Sequence, residues 1–381
     1  MPKPHSCSPV CEEARTTQPQ TRPVRGFVDS SLDFAKENRR MKLRTLIRLF
    51  RSGQLSLLRS LTKEVRRYHR LAFLASGLSS GLLNRLAAGP VPLEGLESEF
   101  VADPAMRDGF EAWLGLGLAL GELRSTSEGY ALRGKLSRRL ADPRNDAAAA
   151  SIEEVVTLHN RLINESPERL RQGRPFSLAD QDARLIARSS RLMEPFICEA
   201  VDEAIPQHGQ VALLEIGCGA GYYIRYAAER NPELTALGLE LQPAAAPLAA
   251  ENIAQWGLSD RVSVEVGDVM QRASQPVFDI ATLHQNIYYF PLAARTGVLR
   301  HVLSFLKPGG RLLVTTVCQG PGAAVDVLNI WGAMTEGCGR LPSPEELIGQ
   351  FQQAGYTNVK LKRLVPGDSF YSFLGQRSEG S

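Results

Sequence analysis

No apolar run in the 381-residue chain approaches the roughly 18 residues that a membrane-spanning helix needs. The opening stretch "MPKPHSCSPVCEEARTTQPQTRP" has no apolar segment of the kind that directs export. Cysteine is sparse: the six stand at positions 7, 11, 198, 218, 318 and 338, and only Cys7 and Cys11 lie close together. That scatter excludes a disulfide framework and lacks the second pair of a zinc site, so a reducing, cytoplasmic setting is expected. No His, Cys and carboxylate cluster has metal-ligand spacing, so no structural zinc is expected; a metal-assisted transfer stays open, since ligands can gather from distant positions. A formal net charge of only +3 gives no reason to expect nucleic acid as a partner.

What the chain has is a composition of 43% hydrophobic and 22% charged residues, that of a soluble globular protein large enough for two domains. Its basic charge is local. Twelve Lys or Arg stand against Glu37 and Glu64 between Lys36 and Arg70, a balance of +10 that leaves about −7 for the remainder. Residues 1–28 are polar, rich in Pro and Thr and without periodicity, which predicts a disordered tail.

Hydrophobic spacing predicts basic amphipathic helices in "MKLRTLIRLFRSGQLSLLRSLTKEVRRYHRLAFLASGL", with leucines at helical intervals. One helix is expected over "YHRLAFLASGLSSGLLNRLAAG", a short one over "VPLEGLESEF", and a third over "PAMRDGFEAWLGLGLALGEL" with Asp103 and Pro104 at its start. A hairpin follows in "LRSTSEGYALRGKLSRRL", with Glu128-Gly129 at its turn. Together these predict a winged-helix-like domain over 29–145. A helical connector over 146–205, interrupted by the polar loop "ESPERLRQGRP", leads to a domain over 206–381. There strands and helices alternate from "VALLEI" to "SFYSFLGQ", which predicts an α/β fold with a mostly parallel sheet covered on both faces and an antiparallel hairpin at its edge.

The first strand runs into Gly217, Gly219 and Gly221. Glycines here let the backbone turn sharply and approach a nucleotide, with free N–H groups at the start of the next helix. The third comes one residue too early for the dinucleotide pattern, and Tyr222 and Tyr223 follow it, so a pyrophosphate is disfavoured. Glu240 ends the next strand about 20 residues on, where a carboxylate can accept from both ribose hydroxyls. Asp268 ends the third, placed to receive an adenine amino group with Val269 and Met270 flanking the ring.

"LLEIGCGAG", Glu240, "GD" at 267–268, "FDIATLHQNIYYFP" and "FLKPGGRLLV" resemble class I S-adenosylmethionine-dependent methyltransferases over about residues 180–375. The preceding segment is similar to the N-terminal dimerisation domain of small-molecule O-methyltransferases. The resemblance implies a Rossmann-like seven-stranded sheet, S-adenosyl-L-methionine as cofactor, a small-molecule acceptor and a homodimer formed through the N-terminal domain. It implies cofactor contacts from Glu215, Gly217, Gly219 and Gly221, from Glu240 and Leu241, from Asp268 and Val269, and from Gln285 and Asn286.

Methyl transfer from a sulfonium is an in-line displacement, so alignment and exclusion of water matter more than a side-chain nucleophile. The family's catalytic histidine sits in a Leu-His-Asp-Trp segment, and matching the apolar frame puts Tyr288 in that slot. His284 is the candidate replacement base, with Tyr288 and Tyr289 facing the acceptor; an acceptor acidic enough to need no base is the alternative. The insertion "CQGPGAAVDVLNIWGAMTEGCGRLPSPEEL" offers Trp331, Met334 and Glu336 as further acceptor contacts, with plain packing the simpler reading of Trp331. C- or N-methylation, an RNA or protein acceptor recognised by the basic helices, and a DNA-binding regulator that only senses ligand are the competing readings. Against the last, the helix that would enter a groove has Arg107 as its only cation in the first turns.

Overall fold

The structure, a computed structural model, describes residues 43–243 and 245–380; the polar tail and the first residues of the basic segment lie outside them. The chain divides into one unit ending at Val65 and a second beginning at Arg66. In the first, α1 (Leu43–Arg51) and the opening half of α2 (Gln54–Ser79) leave Phe50, Leu57, Leu58 and Leu61 exposed between their basic residues.

In the second unit, the end of α2 buries Phe73, Leu74 and Leu78. The single helix expected here is two, because Gly81 adopts a left-handed φ of 84° and starts α3 (Leu82–Ala87) in a new direction. After α4 (Leu93–Phe100), the Asp103 side chain accepts the Ala105 N–H and opens the turn into α5 (Arg107–Leu120), which left-handed Gly121 ends. β1 (Leu123–Thr126) and β2 (Gly129–Leu132) pair as an antiparallel hairpin. Gly129 pairs with Thr126 in the ladder, so the turn falls on Ser127-Glu128, one residue before the expected place.

α6 (Lys135–Leu140) follows the hairpin, and the connector holds α7 (Asp146–Glu154), a π-helical turn over Val155–His159, α8 (Asn160–Gln172), α9 (Ala183–Ser189) and α10 (Glu194–Ala204). The loop expected at "ESPERLRQGRP" is helical as far as Gln172. Arg161 and Arg169 both pair with Glu165 four residues away, and these contacts support a helix whose composition alone reads as loop.

Seven strands form the sheet: β3 (Val211–Ile216), β4 (Leu234–Glu240), β5 (Val262–Val266), β6 (Phe278–His284), β7 (Leu306–Val317), β8 (Thr357–Arg363) and β9 (Phe370–Gln376), in the order β5-β4-β3-β6-β7-β9-β8. All neighbours are parallel except at β9, which runs antiparallel to both β7 and β8 and makes the expected edge hairpin. Buried strands such as "VALLEI" are apolar throughout because both faces are covered. On one face α13 (Arg295–Phe305) and α15 (Pro344–Ala354) pack Val298, Leu299 and Phe351 against it. On the other, α10, α11 (Tyr222–Arg230) and α12 (Ala246–Gln255) contribute Ile197, Ile224 and Ile253.

The chain winds outward from β3 through β4 to β5, then crosses to β6 on the other side. That reversal opens a crevice at the carboxyl ends of β3 and β6, where open α/β sheets bind ligands. In a separate apolar cluster, Leu158 and Leu162 of the connector meet Phe176, Tyr288 and, from α14 (Ala323–Met334), Val325 and Trp331. Among the described residues, no helix is long and apolar enough to cross a membrane.

Candidate functional site

The glycine loop leaves β3 at Ile216 and bends over the end of β4, where Gly217 and Cys218 donate their N–H groups to the Leu239 carbonyl at 2.7 and 3.1 Å. Gly217, Gly219 and Gly221 all have left-handed φ, at 69°, 54° and 81°. Gly217 is constrained twice, because a Cβ there would stand 2.5 Å from Asn286 Nδ2. Asn286 Nδ2 in turn donates to the Ile216 carbonyl at 2.6 Å. The chain brings Asn286 back to the loop through Gln285, which takes a left-handed φ of 53° that a non-glycine residue adopts only at a cost of order 1–2 kcal/mol.

The two strand-end acids are held in place by backbone. Glu240 accepts from the Gly219 N–H through Oε2 at 2.9 Å and from the Gln242 N–H through Oε1 at 3.0 Å. Each carboxylate oxygen keeps a second lone pair, enough for two hydroxyls. Leu241 beside it is exposed. Asp268 stands two residues beyond β5 and caps a short turn by accepting the Met270 N–H through Oδ1 at 2.9 Å, which leaves Oδ2 to receive a ligand donor. Val269 does not flank that position with its side chain, as expected from sequence. It is buried in the core beneath α13, and exposed Met270 is the available apolar wall.

Glu215 lies under the loop, 2% exposed, with the Thr282 hydroxyl 3.5 Å away. Burial, opposed by that hydroxyl and reinforced by the nearby Glu240 carboxylate, pushes its pKa up to about 8. Glu215 is therefore a neutral acid at pH 7 in the ligand-free protein, set beneath the loop instead of at its surface.

His284 ends β6, with Nδ1 2.9 Å from the Thr315 hydroxyl and its ring 4.8 Å from that of Tyr223. Nε2 is buried without a partner, and burial lowers the pKa to about 3. Burial thus keeps the ring neutral in the ligand-free protein and leaves Nε2 as the nitrogen without a partner. The rings of Tyr288 and Tyr289 lie 5.0 Å apart, tilted by 31°. Tyr288 is buried with its pKa pushed well above the usual phenol range by desolvation, and the Tyr289 hydroxyl donates to Gln181 Oε1 at 3.3 Å. Burial disfavours ionisation of both phenols. Tyr222 turns away from the loop and stacks on Trp256, with the Arg191 guanidinium over its ring. Trp331 packs against Phe176 as expected of a core residue, its indole N–H buried and unpartnered. Met334 joins that cluster, whereas Glu336 is exposed.

Three contributors carry no sequence signal: Thr315, which orients His284; Gln181 on the connector; and Arg295. Arg295 is fully buried and binds the carbonyls of Phe290 and Arg340, pinning the tyrosine loop to the segment after α14. Among the described residues, no group of three or more His, Cys, Asp or Glu gathers where a metal could be held.

The donor set fits an adenosyl group carrying an amino-acid tail. Two anchored carboxylates can take ribose and adenine donors, the glycine loop leaves no room for a Cβ at Gly217, and Asn286 Oδ1 is a buried acceptor without a partner, suited to an ammonium group.

Residues 183–361 match the family described as "Methyltransferase domain". Demethylspheroidene O-methyltransferase of Rhodobacter capsulatus is 27% identical over 49% of this chain and 48% of its own length. The N,N-dimethyltransferase OxyT of Streptomyces rimosus is 22% identical over 80% of this chain and 92% of its own. Human N-acetylserotonin methyltransferase, solved in complex with S-adenosylmethionine, superposes over 84% of this chain and 98% of its own with a TM-score of 0.65 at 15% identity, a likeness of fold. The chain thus spans about half of the first of these relatives and nearly all of the other two. With its sheet order and loop geometry, the carboxyl-terminal half of the chain is an S-adenosylmethionine-dependent methyltransferase domain of class I.

Proposed function

We propose that the protein transfers the methyl group of S-adenosyl-L-methionine to a small molecule, with oxygen as the receiving atom. The observation that carries this reading is the donor set at the ends of β3, β4 and β5, where Glu240, Asp268 and Asn286 Oδ1 keep acceptor positions open beside the glycine loop. Phe176, Tyr288, Tyr289 and Trp331, from the connector, the loop after β6 and α14, form an apolar aromatic cluster next to the end of β6, the kind of surroundings that small-molecule sites use.

The cofactor supplies an electrophilic methyl group on a sulfonium. In this reading Glu240 holds the ribose with Leu241 beside it, Asp268 and the Val269 backbone meet the adenine, and the glycine loop with Gln285 and Asn286 receives the amino-acid tail. The faces of Tyr223 and the tyrosine pair would offer a π surface that attracts a sulfonium bound beside them. Their burial also excludes the water that would otherwise compete.

The N-terminal helices present Ile47, Phe50, Leu57, Leu58 and Leu61 on their exposed surface, and a second copy of the chain is the partner assigned to that stripe. A DNA-reading role is disfavoured because Arg107 of α5 lies 3.5 Å from Glu97 and is offset by Asp108 and Glu111. Cys198, Cys218, Cys318 and Cys338 are free thiols, in keeping with a cytoplasmic setting. The test is to incubate the protein with methyl-labelled S-adenosylmethionine and a fractionated extract. Label entering small molecules in an alkali-stable ether supports the reading; label entering RNA or protein, or none transferred, overturns it.

A further inference from the structure

Away from the strand ends, a cavity of about 250 Å³ lies where the end of α2, α3, the segment after α6, α7 and α9 meet. None of its lining residues belongs to the sheet or to the glycine loop. Its floor is apolar, with Leu78, Leu140 and Ala149 all buried. Its polar side carries Asp142, Asp146, Glu153 and Arg188, joined by Asn84. Ion pairs account for most of that charge. Arg188 Nη2 donates to Asp146 Oδ1 at 2.7 Å and to Glu153 Oε1 at 3.3 Å. Arg144 holds Asp142 through Nε at 3.0 Å and Nη2 at 2.6 Å, and Arg191 beyond them is paired with Glu194. Three carboxylates thus face two guanidiniums, and one negative charge is left over. Among the described residues, Glu153 Oε2 is the carboxylate oxygen of this group that receives no donor. Glu153 is only 8% exposed, and a carboxylate so deeply buried is costly unless its charge is matched.

We propose that this cavity is a binding site for a small organic ammonium ion, separate from the cofactor crevice and from the methyl acceptor. An ammonium group carries one charge, which balances the one left over, and three N–H donors. Glu153 Oε2 takes the first of these and the Asn84 amide oxygen is available for a second. The hydrocarbon part of the ligand rests on Leu78, Leu140 and Ala149, where leaving water is favourable. The cavity has the volume of about eight waters at about 30 Å³ each, which suits a compact amine. A bare metal ion fits the place poorly. It needs several oxygens at once, whereas Arg144 and Arg188 already occupy two of the three carboxylates, and among the described residues no group of three or more His, Cys, Asp or Glu gathers for one.

The test titrates cyclohexylammonium chloride into the full chain at constant ionic strength, read by calorimetry and by ligand-detected NMR, with cyclohexanol as the uncharged probe of the same shape. Wild type should bind the cation saturably at one site per chain, about tenfold or more tighter than the alcohol. Glu153→Gln should weaken the cation by about tenfold while moving the alcohol by less than about threefold. Asn84 is exposed, so Asn84→Asp keeps the fold and should tighten the cation by about threefold or more through its added charge. S-adenosylmethionine should not displace the cation, and its own affinity should be the same in Glu153→Gln as in wild type. Absence of saturable binding, equal affinity for the two probes, or unchanged cation affinity in Glu153→Gln or Asn84→Asp overturns the proposal. Displacement of the cation by S-adenosylmethionine overturns it as well, because the probe would then sit in the cofactor crevice.

Discussion

Asn286 Nδ2 sits where a Cβ of residue 217 would lie, 2.5 Å from that position, while donating to the carbonyl of Ile216. One amide thus reads the absence of a side chain at Gly217 and ties the end of β6 to the end of β3. Gly217→Ala must both displace Asn286 and hold an alanine at a φ of 69°. The variant is expected to lose about 1–3 kcal/mol of stability and at least tenfold in affinity for S-adenosylmethionine. Thermal denaturation and calorimetric titration read the two effects; wild-type affinity in the variant would show that the loop is not the cofactor's floor.

Glu215 makes stability depend on pH in a defined direction. The unfolded chain ionises this group above about 4.5, whereas the folded protein keeps its proton until about pH 8. Wild type therefore loses stability relative to Glu215→Gln as pH rises through that window, and the gap is constant above it. At pH 7 the glutamine variant should be more stable by up to about 3 kcal/mol in the absence of ligand. Denaturant midpoints for the two proteins at pH 5 and pH 8 check this, and a gap that does not widen contradicts it.

His284 behaves in the opposite sense. Its folded pKa is lowered to about 3 from 6.5, so as pH falls the unfolded chain takes up a proton first and stability is lost progressively between those values. Thr315→Val leaves Nδ1 buried and unpaired and should cost about 1–3 kcal/mol at neutral pH. Retention of wild-type stability by that variant would mean the 2.9 Å contact contributes little.

Tyr288→Phe removes a hydroxyl that burial keeps neutral. As a wall residue, Tyr288 should tolerate the change with cofactor affinity unaltered and transfer reduced by less than about threefold. A loss of a hundredfold in turnover, at unchanged affinity, would make the phenol an active participant.

The fold was legible where the physics is local. Strands covered on both faces are continuous apolar runs, and β3, β4, β6 and β7 stand where "VALLEI", "LTALGLEL", "FDIATLHQN" and "GRLLVTTVC" placed them. The glycine loop and Glu240 announced themselves because backbone geometry dictates residue type there. "FD" and "LKPGG" proved to be a structural pair, with Lys307 Nζ bonded to both Asp279 oxygens at 2.9 Å, away from the crevice. The aromatic cluster was not legible, because its members converge from distant positions, as in the contact of Tyr289 with Gln181, 108 residues apart. A lone histidine such as His284 does not reveal in sequence how deeply it will be buried. The π turn that joins Glu154 to His159 leaves no trace in an ordinary helical pattern, and α8 hid behind the polar composition of its ion pairs.

The account rests most heavily on Glu240, whose carboxylate is fastened to Gly219 and Gln242 with two acceptor sites to spare. Calorimetric titration of S-adenosylmethionine into the full chain and into Glu240→Ala tests that role directly. Losing two hydrogen bonds to a charged acceptor should weaken binding by about 10- to 100-fold, with the fold intact by circular dichroism. Equal affinity in the two proteins would contradict the placement of the cofactor across the ends of β3 and β4.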